Sequence, residues 1–365
     1  MNENPCCCAS DDCCGESAIL ENVKAYYGKT LQSSDDLKSK ACCCSPSAMS
    51  PEVKEAMAMV ADEVVSRYYG CGSPLPPLLA GMTVLDLGCG SGLDVYVAAK
   101  LVGEQGRVIG VDMTQEQLDV AQKYEEEQRQ RFGYKTSNVR FIKGYIEDLR
   151  AAGIADNSVD VVISNCLINL SPNKEKVFSE IFRVLKPGGE LYFSDVFADR
   201  RIPAHLAADP VLRGECIGGA MYYEDFRRAM ARCGFADFRC RSSRALDLDN
   251  AAIIEKLGFV NFTERTIRAF KLDDLEDICE DYGQVAIYKG NIPGYPHFFD
   301  LGDHHRFFTG KPLLVSGNTA SMLYKTRFAS AYQVIGDRST HYGAFEGCGA
   351  PADAVCADGG SVCGC

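Results

Sequence analysis

From residue 82 onward the chain alternates short apolar runs with helix-like stretches. The runs "MTVLDLG", "GRVIGVDM", "NVRFIKGY", "VDVVISNC" and "GELYFSDV" are rich in Val, Ile, Phe and Leu. Runs that are apolar on both faces need cover on both sides, so they predict a parallel sheet between two layers of helices. The clearest intervening helix is "KEKVFSEIFRVL", which Pro187, Gly188 and Gly189 end before turning the chain into the next strand. A further helix, "YEDFRRAMARCGF", and strands near "FRCRSS" and "QVAIYKG" extend this α/β unit, with helices on both faces, over about residues 81–290. No internal repeat stands out.

The flanks read differently. The stretch "SPEVKEAMAMVADEVVSRYYG" has helical periodicity, with Ser50 as cap and Pro51 at the first helical position, and it stops at Gly70. That helix delivers Cys71 to its C-terminal turn, within a helical arm over 21–80. Residues 291–345 look like a small α+β module, in which adjacent His304 and His305 point to opposite faces and read as surface or turn packing. The Cys-rich ends, 1–20 and 346–365, read as mobile. With 38 basic against 50 acidic residues and a net charge of −12, the bulk field disfavours nucleic acid and anionic lipid. No apolar stretch approaches the roughly 18 to 20 residues of a membrane span and no leader is evident, so a cytoplasmic address is expected. In that reducing setting the 19 cysteines suggest metal or redox chemistry rather than a disulfide scaffold.

The segment "VLDLGCGSGLD" places Gly88, Gly90 and Gly92 directly after an apolar strand and before a helix, where missing side chains let the backbone turn tightly and approach a ligand. It lacks the lysine of a phosphate loop, and the third glycine falls one position short of the dinucleotide fingerprint. Asp112 ends the second strand, where a carboxylate can accept both hydroxyls of a ribose. With "KGYIEDL", "SNCLINL" and "LKPGGELYFSDV" following in order, the chain resembles the class I S-adenosylmethionine-dependent methyltransferases. The resemblance implies a Rossmann-like sheet and S-adenosyl-L-methionine as cofactor. It further implies that Asp86 and the glycines frame the methionine moiety, Asp112 holds the ribose, Met113 flanks the adenine, and Ile146 with Glu147 lines the adenine pocket. Asn165 would lie near the reactive end. Cys89, inside the loop, reads as a small buried residue.

Cysteines occupy the places where an acceptor should lie. Cys166 ends the fourth strand; Cys216, in "RGECIGGAMYY", lies in a segment around 200–222 expected to cover the substrate; Cys71 follows the N-terminal helix. Three thiolates from separated segments suit a soft, three-coordinate centre such as As(III), whereas structural zinc wants four ligands. Together "VKAYYGKTLQSSDDLKSKAC", "RYYGCG", "VVISNCLINL", "GGELYFSDV" and "GECIGGAMYY" resemble the arsenite S-adenosylmethionine methyltransferases over most of residues 21–335. That resemblance implies Cys71, Cys166 and Cys216 as arsenic ligands and Cys42 as redox partner of Cys71. Three consecutive cysteines stand where the family pattern needs one, so Cys43 or Cys44 is an alternative partner.

On this reading arsenite enters as a thiol conjugate, for example with glutathione, and is methylated to methylarsenite and dimethylarsenite without a general base. Tyr69 would place its ring or hydroxyl beside the sulfonium. A disulfide between Cys42 and Cys71 would supply two electrons between rounds and be reopened by thioredoxin or glutathione. Two rivals remain open from the residues alone: a C- or O-methyltransferase with merely buried cysteines, and a soft-metal sensor on a methyltransferase fold. Arsenite-dependent methyl transfer without an organic acceptor separates the first, and tight metal binding without turnover marks the second.

Overall fold

The computed structural model describes residues 12–31, 36, 49–70, 74–302 and 304–346. Strands β1 (Thr83–Leu87), β2 (Arg107–Asp112), β3 (Val139–Lys143), β4 (Val159–Asn165), β5 (Leu185–Ala198), β6 (Met221–Tyr222), β7 (Phe238–Ala245) and β8 (Phe262–Phe270) form one sheet. Its order is β3-β2-β1-β4-β5-β8-β7, with β6 pairing on β5. The strands from β3 to β5 run parallel, whereas β8 is antiparallel to both β5 and β7. Because the order reverses between β1 and β4, a crevice opens at the carboxyl ends of these strands, where open α/β sheets bind ligands.

The expected double cover is present. On one face α2 (Pro51–Met57), α3 (Asp62–Ser66), α4 (Leu93–Val102), α5 (Gln115–Lys123) and α6 (Glu125–Phe132) bury Val53, Val64, Val95, Leu118 and Phe132 against Val84, Val108, Val161 and Ile163. On the other face α7 (Lys174–Val184) and α10 (Tyr223–Arg232) bury Val177, Phe178, Ile181, Phe226 and Met230 against Leu85, Leu87, Val162 and Phe193. Neighbouring strand residues Val84 and Leu85, or Val161 and Val162, thus serve opposite cores, as the pleat requires. Removing the fully buried Phe178 ring would cost about 3–5 kcal/mol. Asn173 caps α7 by accepting from the Lys176 N–H at 3.1 Å, and Lys186, ahead of Pro187, is already extended in β5.

Ser50 does cap α2, accepting from the Val53 N–H at 3.3 Å, but the single helix expected up to Gly70 breaks after Met57 and resumes at Asp62. The reason is burial: Val60 and Ala61 turn inward and pack in the core beside α4. At the N-terminus the mobile tail expected over 1–20 is helical from Asp12, within α1 (Asp12–Ala25), which runs into a π-helix, Tyr26–Thr30. Beyond β5 lie α8 (Ala204–Ala207), α9 (Pro210–Gly214) and α11 (Ala251–Leu257).

The last part carries β9 (Glu280–Asp281), β10 (Gln284–Tyr288), β11 (Phe298–Asp300), β12 (Arg306–Phe308), β13 (Pro312–Val315), α12 (Gly317–Tyr324), β14 (Tyr332–Ile335) and β15 (Gly343–Ala344). The stretch "QVAIYKG", expected to extend the main sheet, is β10 and pairs with β13 and β14 instead, so it belongs to the later sheet, whose other strands lie beyond residue 290. Alternation predicts a strand without naming its sheet. The stretch "TASMLYKTRFASAYQV", residues 319–334, whose pattern predicts a helix, likewise divides into the end of α12, a 3-10 turn over Arg327–Ala331 and β14. An aromatic core of Phe270, Tyr288, Phe299, Phe307 and Phe328 unites this part with the end of β8. His305 is half-buried beside Thr319 Oγ1 at 3.2 Å, and desolvation lowers its pKa to about 3, so its ring is neutral.

Candidate active site

One pocket sits at the carboxyl ends of β1, β2 and β4. Asp86, Gly88, Gly90, Asp112, Met113, Ile146, Glu147, Asn165, Cys166 and Tyr69 all line it, and Gly92 does not. Gly92 instead opens α4 in a left-handed conformation, where a Cβ would lie 3.1 Å from the Phe141 ring. At Gly88, also left-handed, a Cβ would collide with Leu167, which follows the cysteine at the end of β4. The Asp112 carboxylate accepts from the Gly90 N–H at 2.9 Å and the Thr114 N–H at 2.8 Å, keeping lone pairs for a ligand.

The lining has a consistent polarity. Asp86, Asp94 and Asp112 are buried, and burial raises all three pKa values; Asp86 is pushed further by the neighbouring Asp94 and Asp112. Hydrogen bonds from Asn165 and Tyr68 partly offset the rise at Asp94. Asn165 Nδ2 donates to Asp94 Oδ2 at 3.2 Å, while Asn165 Oδ1 and Gln117 Oε1 are buried acceptors without a donor among the described residues. Such an acceptor-rich, anionic pocket fits a donor-rich cation. S-adenosylmethionine, with its ammonium, sulfonium and ribose hydroxyls, has that character.

Two of the three expected arsenic-binding cysteines meet beside this pocket. Cys216 Sγ donates to the Cys166 carbonyl oxygen at 2.8 Å, and both residues are buried. Both also have left-handed backbones, φ +51° at Cys166 and +62° at Cys216. For a side-chain-bearing residue that geometry costs about 1–2 kcal/mol. It is enforced from outside: the Cys166 N–H is tied to the Ser194 carbonyl at 2.8 Å, and Asn169 Nδ2 donates to Asp195 Oδ1 at 2.7 Å and the Val196 carbonyl at 2.6 Å. A Cβ on Gly219 would fall 1.9 Å from the Asn169 carbonyl, so the segment carrying Cys216 lies directly on the turn after Cys166. Cys166 is disulfide-bonded, while Cys89, Cys216 and Cys233 are free. Cys42, Cys43, Cys44 and Cys71 lie outside the described residues. Tyr69 packs edge-on against Tyr27 at 5.6 Å between ring centroids, and burial raises its pKa, leaving a neutral phenol.

The chain matches a methyltransferase-domain model over residues 78–234 and a model of the arsenite methyltransferase C-terminal domain over residues 282–359. An arsenite methyltransferase of Aquipseudomonas alcaligenes is 54% identical over 329 residues, covering 90% of this chain and 94% of that protein. This chain belongs to the arsenite methyltransferase family. A human arsenite methyltransferase is 38% identical, covering 87% of this chain and 84% of the relative. The crystal structure of an arsenic(III) S-adenosylmethionine methyltransferase from Chlamydomonas reinhardtii superposes with a TM-score of 0.79 at 51% identity, covering 82% of this chain and all of that one. The class I fold and the S-adenosylmethionine-dependent methyltransferase chemistry expected from the glycine loop are those of this family. Among the described residues no helix is long and apolar enough to cross a membrane.

Within this arsenite methyltransferase, contacts across the long N-terminal separation escaped the sequence reading. Tyr26 Oη donates to Glu215 Oε1 at 2.6 Å, and Tyr27 Oη donates to the Gly214 carbonyl at 2.8 Å while lying 3.9 Å from Cys216 Sγ. Gln117 Nε2 donates to the Tyr27 carbonyl at 2.9 Å. Tyr27 therefore touches the cofactor side through α5 and the cysteine side through the covering segment. The π-helix that begins at Tyr26 places both tyrosines, and such turns recur at functional sites. The paired tyrosines in "VKAYYGKT" were the available signal. Asp94, the second residue of α4, gave none.

Proposed function

We propose that Cys166 and Cys216, with Cys71 as third thiolate, hold As(III) while it accepts methyl groups from S-adenosylmethionine, giving methylarsenite and then dimethylarsenite. The observation that carries this reading is the pair of buried, left-handed cysteines set side by side at the edge of the acidic pocket. S-adenosylmethionine supplies an electrophilic methyl on a sulfonium. Asp86, Asp94 and Asp112 bring compensating negative charge, and Asn165 orients Asp94. Asp112 takes the ribose, and Met113, Ile146 and Glu147 bound the adenine. The cysteines present a pyramidal As(III) whose lone pair points at the methyl, so no base is needed and positioning with exclusion of water supplies the catalysis.

Methyl transfer leaves arsenic formally pentavalent. Two protein thiolates forming one disulfide return the two electrons that restore As(III), and thioredoxin or glutathione reopens that disulfide. Cys42, or its neighbours Cys43 and Cys44, with Cys71 are the expected pair. The disulfide at Cys166 supports a role for that sulfur in the exchange as well. We place this chemistry in the cytoplasm, with arsenic detoxification as its purpose and glutathione-bound arsenite as the entering species. The test is to incubate purified protein with arsenite, S-adenosylmethionine and a thiol, and to separate arsenic species by chromatography with elemental detection. Methylated arsenic that disappears without the cofactor is the expected result, and its absence from a protein that binds S-adenosylhomocysteine overturns the reading.

A further inference from the structure

A second cavity, of about 580 Å³, lies between the antiparallel end of the sheet, the segment before β1 and the C-terminal part. Tyr192, Arg241, Thr266 and Arg268 form its sheet wall, and Leu75, Pro77, Leu79 and Phe299 supply much of the apolar wall opposite. It is separate from the acidic pocket, with which it shares no lining residue. Its size is that of small-ligand sites.

The charges around it do not balance. Glu190, fully buried, is the carboxylate partner of both Arg268 and Arg327. Asp300 binds Arg306 through two bonds, at 2.7 and 2.9 Å, and is also the carboxylate nearest Arg241, at 4.0 Å. Four guanidiniums thus share two carboxylates. Arginine does not deprotonate in proteins, and Glu52, which also faces the cavity, supplies one further carboxylate, so among the described residues an excess of one positive charge stands unless an anion joins them. The other charged groups facing the cavity are Arg244 and Glu264, which pair with each other.

Of the three arginines that line the cavity, Arg241 and Arg268 are the ones with capacity to spare. Arg268 is completely buried, and its Nη2 has no hydrogen-bond acceptor among the described residues. Rings of Phe328, Tyr192 and Phe299 at 5.0, 5.3 and 5.6 Å soften its charge without supplying an acceptor. Arg241 sits where the β7–β8 register shifts between Cys240 and Ser242, so the strand carries an irregularity at this position. Bulges of this kind re-aim side chains and recur beside binding sites.

We propose that this cavity is a binding site for a small organic dianion, whose carboxylates pair with Arg241 and Arg268 while its methylene body lies on the Leu75–Pro77–Leu79 wall. The source that best fits its surroundings is a carboxylate-bearing thiol of the glutathione type. Met49 and Leu75, both at the cavity, are five residues from Cys44 and four from Cys71 in the chain. In sequence those redox cysteines are therefore close neighbours of residues that line the cavity. Two such thiols, oxidised to one disulfide, convert one protein disulfide to two thiols. This choice of source rests on the redox roles proposed above for Cys42 to Cys44 and Cys71, whereas the dianion site itself does not.

The test is calorimetric titration of the full chain, saturated with S-adenosylhomocysteine to close the acidic pocket, with S-methylglutathione, which keeps both carboxylates and has no free thiol. One saturable site is expected, lost with the diester of the same molecule and weakened at least fivefold by Arg241→Gln. Undiminished binding of S-adenosylhomocysteine by that variant verifies its fold, which the fully buried Arg268 would not allow. No saturable binding, or equal binding by Arg241→Gln, overturns the site. Glutarate binding as tightly as S-methylglutathione, with the same dependence on Arg241, supports the dianion site and overturns the thiol as its source. No arsenic is present in this titration, so failure of the methylation reading leaves its outcome untouched.

Discussion

Cys216 and Cys240 are both buried, yet they occupy different kinds of position. Cys240 lies in β7 beside its register shift but without a positive φ, within the main hydrophobic core, with its thiol 3.3 Å from the Ser242 carbonyl. Cys216 is left-handed, in a segment clamped by Asn169, Asp195 and Tyr27, with its sulfur 2.8 Å from the Cys166 carbonyl. The first position rewards a cysteine as a small apolar group. The second pays a conformational penalty to aim one. Burial alone does not separate a packing thiol from a reactive one, whereas backbone strain enforced by surrounding hydrogen bonds does.

The largest effect expected from this difference is on turnover. Cys216→Ser keeps the shape and replaces a soft ligand by a hard one, so arsenite methylation should fall at least about a hundredfold, while S-adenosylhomocysteine binding changes less than about twofold. Cys240→Ser should leave methylation within about twofold. Arsenic speciation on the two variants, side by side, measures the contrast. Comparable losses in both, with both folded, would remove any distinction between them.

Cys89 sharpens the same contrast from the electrostatic side. It is buried beside Asp112 and Asp86, and burial first, then those carboxylates, push its thiol well above the usual range. The pocket that suppresses a thiolate there favours a cation. Because burial raises the pKa values of Asp86, Asp94 and Asp112, part of their charge is absent in mild acid and returns as pH rises. A sulfonium opposes protonation of these groups, so cofactor binding should release protons. The affinity of S-adenosylmethionine relative to the uncharged thioether S-adenosylhomocysteine should therefore increase, by about tenfold, between pH 5 and pH 7.5. A ratio that stays flat in titrations across this range would show that the carboxylates do not sense the charge.

Sequence legibility follows the range of the interactions. The sheet, its double cover, the Ser50 cap and the glycine loop depend on residue type and near neighbours, and the chain spells them out. The break at Val60 and Ala61, and the pairing of β10 with β13 and β14, depend on which surface is available to cover them. Asp94 is one more acidic residue at a helix start until Asn165, 71 positions away, donates to it. The bond between Tyr26 and Glu215 spans 189 positions. For Cys166 and Cys216 the spacing and the family likeness named the residues, but left-handed geometry is not encoded by the letters, since nothing in cysteine favours positive φ.

Tyr27 probes the clamp around Cys216. Tyr27→Phe retains the ring and loses the hydroxyl that donates to the Gly214 carbonyl and lies beside Cys216 Sγ. Losing one such bond is worth about 1 kcal/mol, so a roughly fivefold rise in KM for arsenite is expected with S-adenosylhomocysteine affinity little changed. A merely structural tyrosine would lower the melting temperature without separating the two ligands. An unaltered KM for arsenite would remove Tyr27 from the positioning of Cys216.

The smallest expected difference is in stability, and it bears most directly on strain. Glycine relieves a left-handed residue but weakens a strand interior. Cys216→Gly and Cys240→Gly both delete a buried thiol, so the packing losses are of similar kind. Cys216→Gly recovers about 1 kcal/mol of backbone strain that Cys240→Gly cannot, and the latter adds about 0.5–1 kcal/mol of backbone entropy. Cys216→Gly should therefore melt above Cys240→Gly by a few degrees, although it is the variant that loses arsenite methylation. Thermal unfolding without arsenic or cofactor measures this, and the reverse order would mean that the Cys216 backbone is not held against its preference.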